Sequence, residues 1–145
     1  SGEGIKEYIK DYDIKNYTFW GEGMGNYILS HVLYIFSFEP KNIIHYNIYP
    51  SLSSYIKDKY SFLYPIFIPS YLKYRDKNYN YPKNEPTIYF LSTKENIKNS
   101  YECFYNLNKI PFSKKKNILL EGKGNSIFFH ENNKKEIKNI LFKEN

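Results

Sequence analysis

Alanine is missing from this chain altogether, while valine occurs once (Val32), arginine once (Arg75) and cysteine once (Cys103). Each shortage excludes something. A lone cysteine can form no internal disulfide and cannot supply the thiolates of a structural zinc site. Its setting, Tyr101-Glu102-Cys103-Phe104-Tyr105, reads as helix, where such a cysteine serves as a small apolar filler. A single arginine against twenty lysines argues against a nucleic-acid face, because the guanidinium is the group that makes bidentate contacts to phosphate and guanine. The lysines are scattered, with one tight cluster at Lys114-Lys115-Lys116, so the net charge of +6 and pI near 9.1 describe no basic patch. No run of about twenty apolar residues occurs, and no transmembrane segment is expected. Ser1-Gly2-Glu3-Gly4 carries neither an initiator Met nor a basic stretch and reads as an internal boundary.

What the chain has instead is aromatic mass, 17 Tyr and 11 Phe. With Ile, Asn and Lys, these are the residues of A/T-rich codons, and an A/T-rich genome accounts for them without invoking function. At 145 residues and 41% hydrophobic content, a real core is available. A chain of this size buries roughly 70% of the surface that its unfolded form exposes. One domain over residues 1–145 is expected, with no internal repeat and no linker.

The chain is organised around Tyr17-Thr18-Phe19-Trp20-Gly21-Glu22-Gly23-Met24-Gly25-Asn26 and the apolar-periodic run that follows to Ile35. A compact apolar strand turns through three glycines at every second position and continues as a helix to about Ser37, stopping before Glu39-Pro40. Ahead of it, Ile5, Tyr8, Ile9 and Tyr12 fall on one face of a short helix. Asn42 to Tyr49 reads as a second strand, completing a right-handed parallel crossover. Tyr55 to Tyr64 reads as helix. Residues 65–85, with Pro65, Pro69 and Pro82, read as an irregular, lid-like insertion containing one short helix, Pro69 to Tyr74. Pro86 to Ser92 is the third strand, and Thr93-Lys94-Glu95-Asn96 is a polar loop. Ser100 to Ile110 is a helix with Tyr101, Phe104, Tyr105 and Leu107 for its buried side. Asn117 to Gly122 is the fourth strand, Lys123-Gly124-Asn125-Ser126 a loop, and Asn133 to Lys143 a closing helix with Ile137, Ile140 and Leu141 facing inward.

Strand, Gly-x-x-x-Gly elbow, helix and strand, followed by two further strand–loop–helix units, resembles the C-terminal half of an α/β-hydrolase from Ile5 to Lys143. Trp20-Gly21-Glu22-Gly23-Met24-Gly25 stands where that family has Gly-x-Ser-x-Gly, the nucleophile elbow. Ser37-Phe38-Glu39-Pro40-Lys41-Asn42 resembles the link to the next strand. Pro86 to Asn96 resembles the strand and loop of the triad acid, and Glu121 to Ser126 the loop of its histidine. The resemblance assigns the nucleophile position to Gly23, the acid to Glu95, the histidine to Asn125 and one oxyanion-hole donor to the backbone N–H of Met24. Gly23 has no side chain to attack a carbonyl, and the Asn125 amide has no usable pKa. Loss of triad members leaves only residual catalysis. A complete hydrolase of this family has about 250 residues; here the half before the elbow is one short helix, which leaves Tyr17–Trp20 as an open sheet edge.

Other chemistry is thinly represented. His31 and His45 sit in a helix and a strand, where structural roles are the commoner ones, and His130 beside Glu131 is the one substitute base that could lie near Glu95. Ser30, Ser51, Ser53 and Ser54 carry no nucleophile signature, and no His or carboxylate pairs stand at metal-ligand spacing. The glycine turn also has the look of a phosphate loop, but neither G-x-G-x-x-G nor Gly-Lys-Ser/Thr is present, and Glu22 would repel phosphate. The expectation is therefore an α/β protein with a small, mostly parallel sheet of about four strands flanked by helices. It would act as a non-catalytic, hydrolase-like module without cofactor or metal. A protein partner or a second copy would cover the edge near Tyr17–Trp20. The alternative is an esterase or lipase whose N-terminal half and nucleophile come from elsewhere.

Overall fold

Short runs rich in Ile, Tyr, Phe and Leu without strict alternation make parallel strands, covered on both faces at the centre of the sheet and partly exposed at its edges. In the computed structural model these are β1 (Thr18–Glu22), β2 (Asn42–Tyr46), β3 (Thr87–Thr93) and β4 (Lys115–Leu120). The structure describes residues 17–23, 40–50, 52–59, 86–107 and 110–142, together with residues 4, 25, 26, 28, 29, 32 and 33. The expected helix over 5–12, the ends of the helix over 24–37, the continuation of a helix to Tyr64 and the lid-like stretch 65–85 lie outside these residues. The four strands pair in the order β1-β2-β3-β4, every pair parallel. Residues 25, 26, 28, 29, 32 and 33 are helical, and among the described residues three α-helices follow: α1 (Leu52–Lys59), α2 (Ile97–Asn106) and α3 (Glu131–Leu141). The chain is thus an α/β protein with a four-stranded, all-parallel sheet flanked by helices. Among the described residues no helix is long and apolar enough to cross a membrane.

Because successive strand residues point to opposite faces, the sheet divides the core in two. One layer joins Val32 and Leu33 to Ile43, Ile88, Phe90 and Cys103, so Leu29, Val32 and Leu33 share a face with α2. The other joins Ile44, Tyr46, Leu91 and Leu120 to Ile127 and Ile140, which puts α3 on the opposite face. Cys103 is buried as a filler, and burial pushes its thiol up to about 12.

Element limits differ from the sequence expectation where polar groups intervene. Helix α2 starts at Ile97 rather than Ser100, because the amide of Asn96 bonds Thr93 O and its own carbonyl accepts from Ser100 N. Its inward stripe is Ser100, Cys103, Phe104 and Leu107, spaced i, i+3, i+4, i+7. Tyr101 and Tyr105, expected on the buried side, face outward and stack on each other at 6.1 Å. Strand β4 begins at Lys115 rather than Asn117, since Lys115 is itself buried. Its ammonium donates to Phe104 O (2.6 Å) and Leu107 O (3.0 Å) at the C-terminal end of α2, and lies 4.7 and 4.8 Å from the Phe104 and Phe112 ring centroids. A cation there meets the last carbonyls and the negative end of the helix dipole, Leu107 O also accepting from Ile110 N at 3.1 Å. Burial lowers its pKa from the ordinary lysine value.

Buried asparagines pin the connections. Asn42 Nδ2 donates to Thr18 Oγ1 and Ile140 O, tying β2 to β1 and to α3. Asn96 Nδ2 donates to Ile48 O at 2.9 Å. Asn133 accepts from Glu121 N and donates to Glu121 O and Ile127 O, which fixes the turn after β4 against α3. The Ile140, Ile48 and Ile127 carbonyls so engaged are buried, where an unpaired group is costly.

Candidate functional site at the carboxyl ends of the strands

In open parallel sheets, ligands bind beyond the carboxyl ends of the strands, and here three connections converge there. The first is the turn from β1 into the helical residues Gly25 and Asn26. A Cβ at Gly21 would stand 2.6 Å from Asn26 Oδ1 and 2.9 Å from Asn26 Cα, so strand and helix approach too closely for any side chain. Gly23 adopts φ 54°, the left-handed region where glycine is unstrained. Its amide donates to Tyr46 O (3.3 Å) and its carbonyl accepts from Asn26 N (3.2 Å).

Asn26 and His45, both fully buried, hold this turn from beneath. Asn26 Nδ2 donates to Tyr46 O (2.9 Å) and Gly23 O (3.2 Å), which leaves Oδ1 as the acceptor facing His45 Nδ1 at 2.9 Å. The His45 proton therefore sits on Nδ1 of a neutral ring. Burial holds its pKa at about 3, against an ordinary 6.5. His45 is thus a structural histidine, inaccessible to any substrate.

Above the turn lies α1. A Cβ at Gly23 would meet Tyr55 Cε2 at 3.6 Å. Tyr55 packs edge-on against Tyr49 at 5.2 Å, and the Tyr49 hydroxyl donates to Asp58 Oδ2 at 2.6 Å. Burial and this carboxylate raise the Tyr49 pKa. The space that a nucleophile on residue 23 would use is therefore bounded by an aromatic ring that is braced in turn from α1.

The second and third connections are the loops after β3 and β4. Asn47, itself at φ 49°, accepts from Thr93 N through Oδ1 (3.1 Å) and steadies the loop that presents Glu95. Glu95 Oε1 pairs with Lys123 Nζ at 2.9 Å, and both groups are exposed. The Tyr46 hydroxyl donates to Gly124 O at 3.0 Å, bringing the next residue, Asn125, to the same end of the sheet, in the 3-10 helix Gly124–Phe129. Burial raises the Tyr46 pKa, and the nearby Glu22 and Glu95 carboxylates add to the effect. Trp20 completes the wall, with Tyr46 and Phe128 each at 6.1 Å.

The structure therefore brings the Glu95 loop and the Asn125 loop together beside the Gly23 turn. Met24, Ser30 and His31 lie outside the described residues. His130 does not take the role of a base beside Glu95. Its Nδ1 lies 3.5 Å from Glu121 Oε2, while Glu95 is engaged by Lys123. Its ring also roofs Gly122, where a Cβ would meet Nε2 at 2.7 Å. Among the described residues, no group of three or more His, Cys, Asp and Glu side chains could hold a metal ion.

The Asn26–His45 bond, the Tyr55 roof and the Lys123–Glu95 pair were not foreseen from the sequence. The one signal for the first was a histidine in an otherwise apolar strand, which needs a buried polar partner. The chain matches no protein-family model and no curated protein sequence.

Proposed function

We propose that the chain is a non-catalytic module of α/β-hydrolase type that works by binding a protein partner or as a structural component of an assembly. The observation that carries this reading is the turn at Gly23. Its geometry suits a nucleophile, at positive φ between a strand end and a helix start, yet it holds no reactive atom and faces the Tyr55 ring at 3.6 Å. The neighbouring loops support it. Glu95 pairs with an ammonium rather than orienting an imidazole, and Asn125 offers an amide that neither takes nor gives a proton near neutrality. With nucleophile and base both missing, a hydrolase of this kind keeps only the roughly 10³–10⁴-fold residual catalysis that binding and an oxyanion hole supply.

The partner surface in this reading includes the β1 edge. Strand β1 ends the sheet order, and among the described residues no strand pairs with its outer side. Tyr17 is exposed at its start. Such an edge offers a row of backbone donors and acceptors to another chain. The test is direct. Incubation with p-nitrophenyl esters gives no turnover above buffer, and a fluorophosphonate probe labels no residue. Covalent labelling of any serine overturns the reading in favour of an esterase.

A further inference from the structure

We propose that the opposite edge of the sheet, the outer side of β4, is a docking groove for an extended strand of a partner protein that alternates acidic and apolar residues. This deepens the protein-binding reading above by naming a second surface and the chemistry that fits it. Among the described residues no strand pairs with the outer side of β4, so its outward N–H and C=O groups can accept a strand. Six residues, Lys115–Leu120, give an edge of about 20 Å.

Both faces of that edge are prepared for a neighbour. On one, β4 and the last turns of α3 enclose a groove of about 880 Å³. Its apolar lining includes Ile118, Ile140 and Phe142, and its charged lining is Lys116, Lys138 and Glu136. Phe142 is 75% exposed and Ile140 buried, so the groove has an apolar base and a free aromatic lip. On the other face Leu119 and Phe112 are 55% and 69% exposed. An added strand sends alternate side chains to these two faces, and cross-strand pairs are the unit of its stabilisation.

Charge selects the partner. Lys116 and Lys138 outnumber Glu136, and the remaining lysine of the edge, Lys115, turns its ammonium inward to α2. An alternating strand then turns its carboxylates to the groove side, beside Lys116 and Lys138, and its apolar side chains to the other face, over Leu119 and Phe112. A second copy of this chain would instead bring a +6 molecule and the same lysines to the seam, which complementary pairing disfavours.

The experiment uses the full chain, isotopically labelled, with three capped decapeptides: alternating Val and Glu, alternating Val and Lys, and a block of Val followed by a block of Glu. The Val–Glu alternating peptide is expected to give saturable amide shifts confined to 112–120 and 136–142 and to slow exchange of the outward β4 amides. A Lys116→Glu, Lys138→Glu double variant should bind it about tenfold more weakly and gain affinity for the Val–Lys peptide, with unchanged thermal unfolding. The proposal is overturned if β4 amides do not shift, if the block peptide binds equally well, or if the same amides are protected without peptide in a concentration-dependent dimer. None of these outcomes bears on the esterase test, so the two readings fail separately.

Discussion

Acidification from pH 7 to pH 5 should weaken the fold through His45. The ring is fully buried with its Nδ1 proton committed to Asn26 Oδ1, and burial holds its pKa at about 3. A histidine in the unfolded chain has its ordinary value near 6.5, so below that pH the unfolded state takes up a proton that the folded state refuses. Stability is therefore present in full above about 6.5 and falls as pH drops toward 3, with a limiting slope of about 1.4 kcal/mol per pH unit. Between pH 7 and pH 5 the loss from this one group is about 2 kcal/mol, a large share of the 5–15 kcal/mol typical of a domain. The assay is urea unfolding at both pH values for the wild type and for His45→Gln. The variant starts less stable, but it should lose about 2 kcal/mol less than the wild type over the same interval. Equal losses in both proteins would refute the reasoning, since the pH dependence would then arise elsewhere.

Gly21→Ala should destabilise by about 1–3 kcal/mol, because its Cβ would meet Asn26 at 2.6 and 2.9 Å, whereas Gly25→Ala, with no atom within 4 Å, should be neutral or slightly stabilising; urea midpoints separate the two. Lys115→Met should cost about 1–3 kcal/mol by taking the ammonium from the Phe104 and Leu107 carbonyls, of which Leu107 O keeps the Ile110 N–H, again read from urea unfolding. Cys103, with its thiol pushed up to about 12 and its side chain buried, should resist a maleimide at pH 8 until denaturant is added.

The fold was legible because the signals for parallel strands are long-lived in sequence. Asn42 to Tyr46 and Thr87 to Thr93 each centre on a compact run of Ile, Tyr, Phe or Leu, and the glycine turn between β1 and the next helix marks itself by Gly21 and Gly23. What escaped were features that depend on where a polar side chain finds its partner. Within the Lys114-Lys115-Lys116 cluster no local pattern says that the C-terminus of α2, eight residues earlier in the chain, claims the Lys115 ammonium. Tyr101 and Tyr105 were assigned inward on hydrophobicity alone, whereas Ser100 and Cys103, smaller and less apolar, fit the close approach of α2 to β3 and β4. At the candidate site, the loops after β3 and β4 could be named from order and spacing. Their meeting through Lys123 and Glu95 is a matter of three-dimensional register and left no trace in the sequence.

Those same polar partners account for the tight turn at Gly21 and Gly23 without any reactive side chain on it. Gly21 is required by the contact with Asn26, and Asn26 by the carbonyls of Gly23 and Tyr46 and by the proton of His45. His45 in turn fills space against Phe90, with ring centroids 5.6 Å apart, in the layer beneath. None of these interactions needs a side chain at residue 23. The turn is therefore a packing solution for closing a strand onto a helix, and it holds whether or not a nucleophile stands on it. Replacing the glycine by serine would place a hydroxyl at positive φ beside Tyr55 with no histidine in the neighbouring loop to take its proton. On this argument a single Gly23→Ser substitution should confer no ester hydrolysis, and the two sheet edges are the surfaces through which the proposed binding role would act.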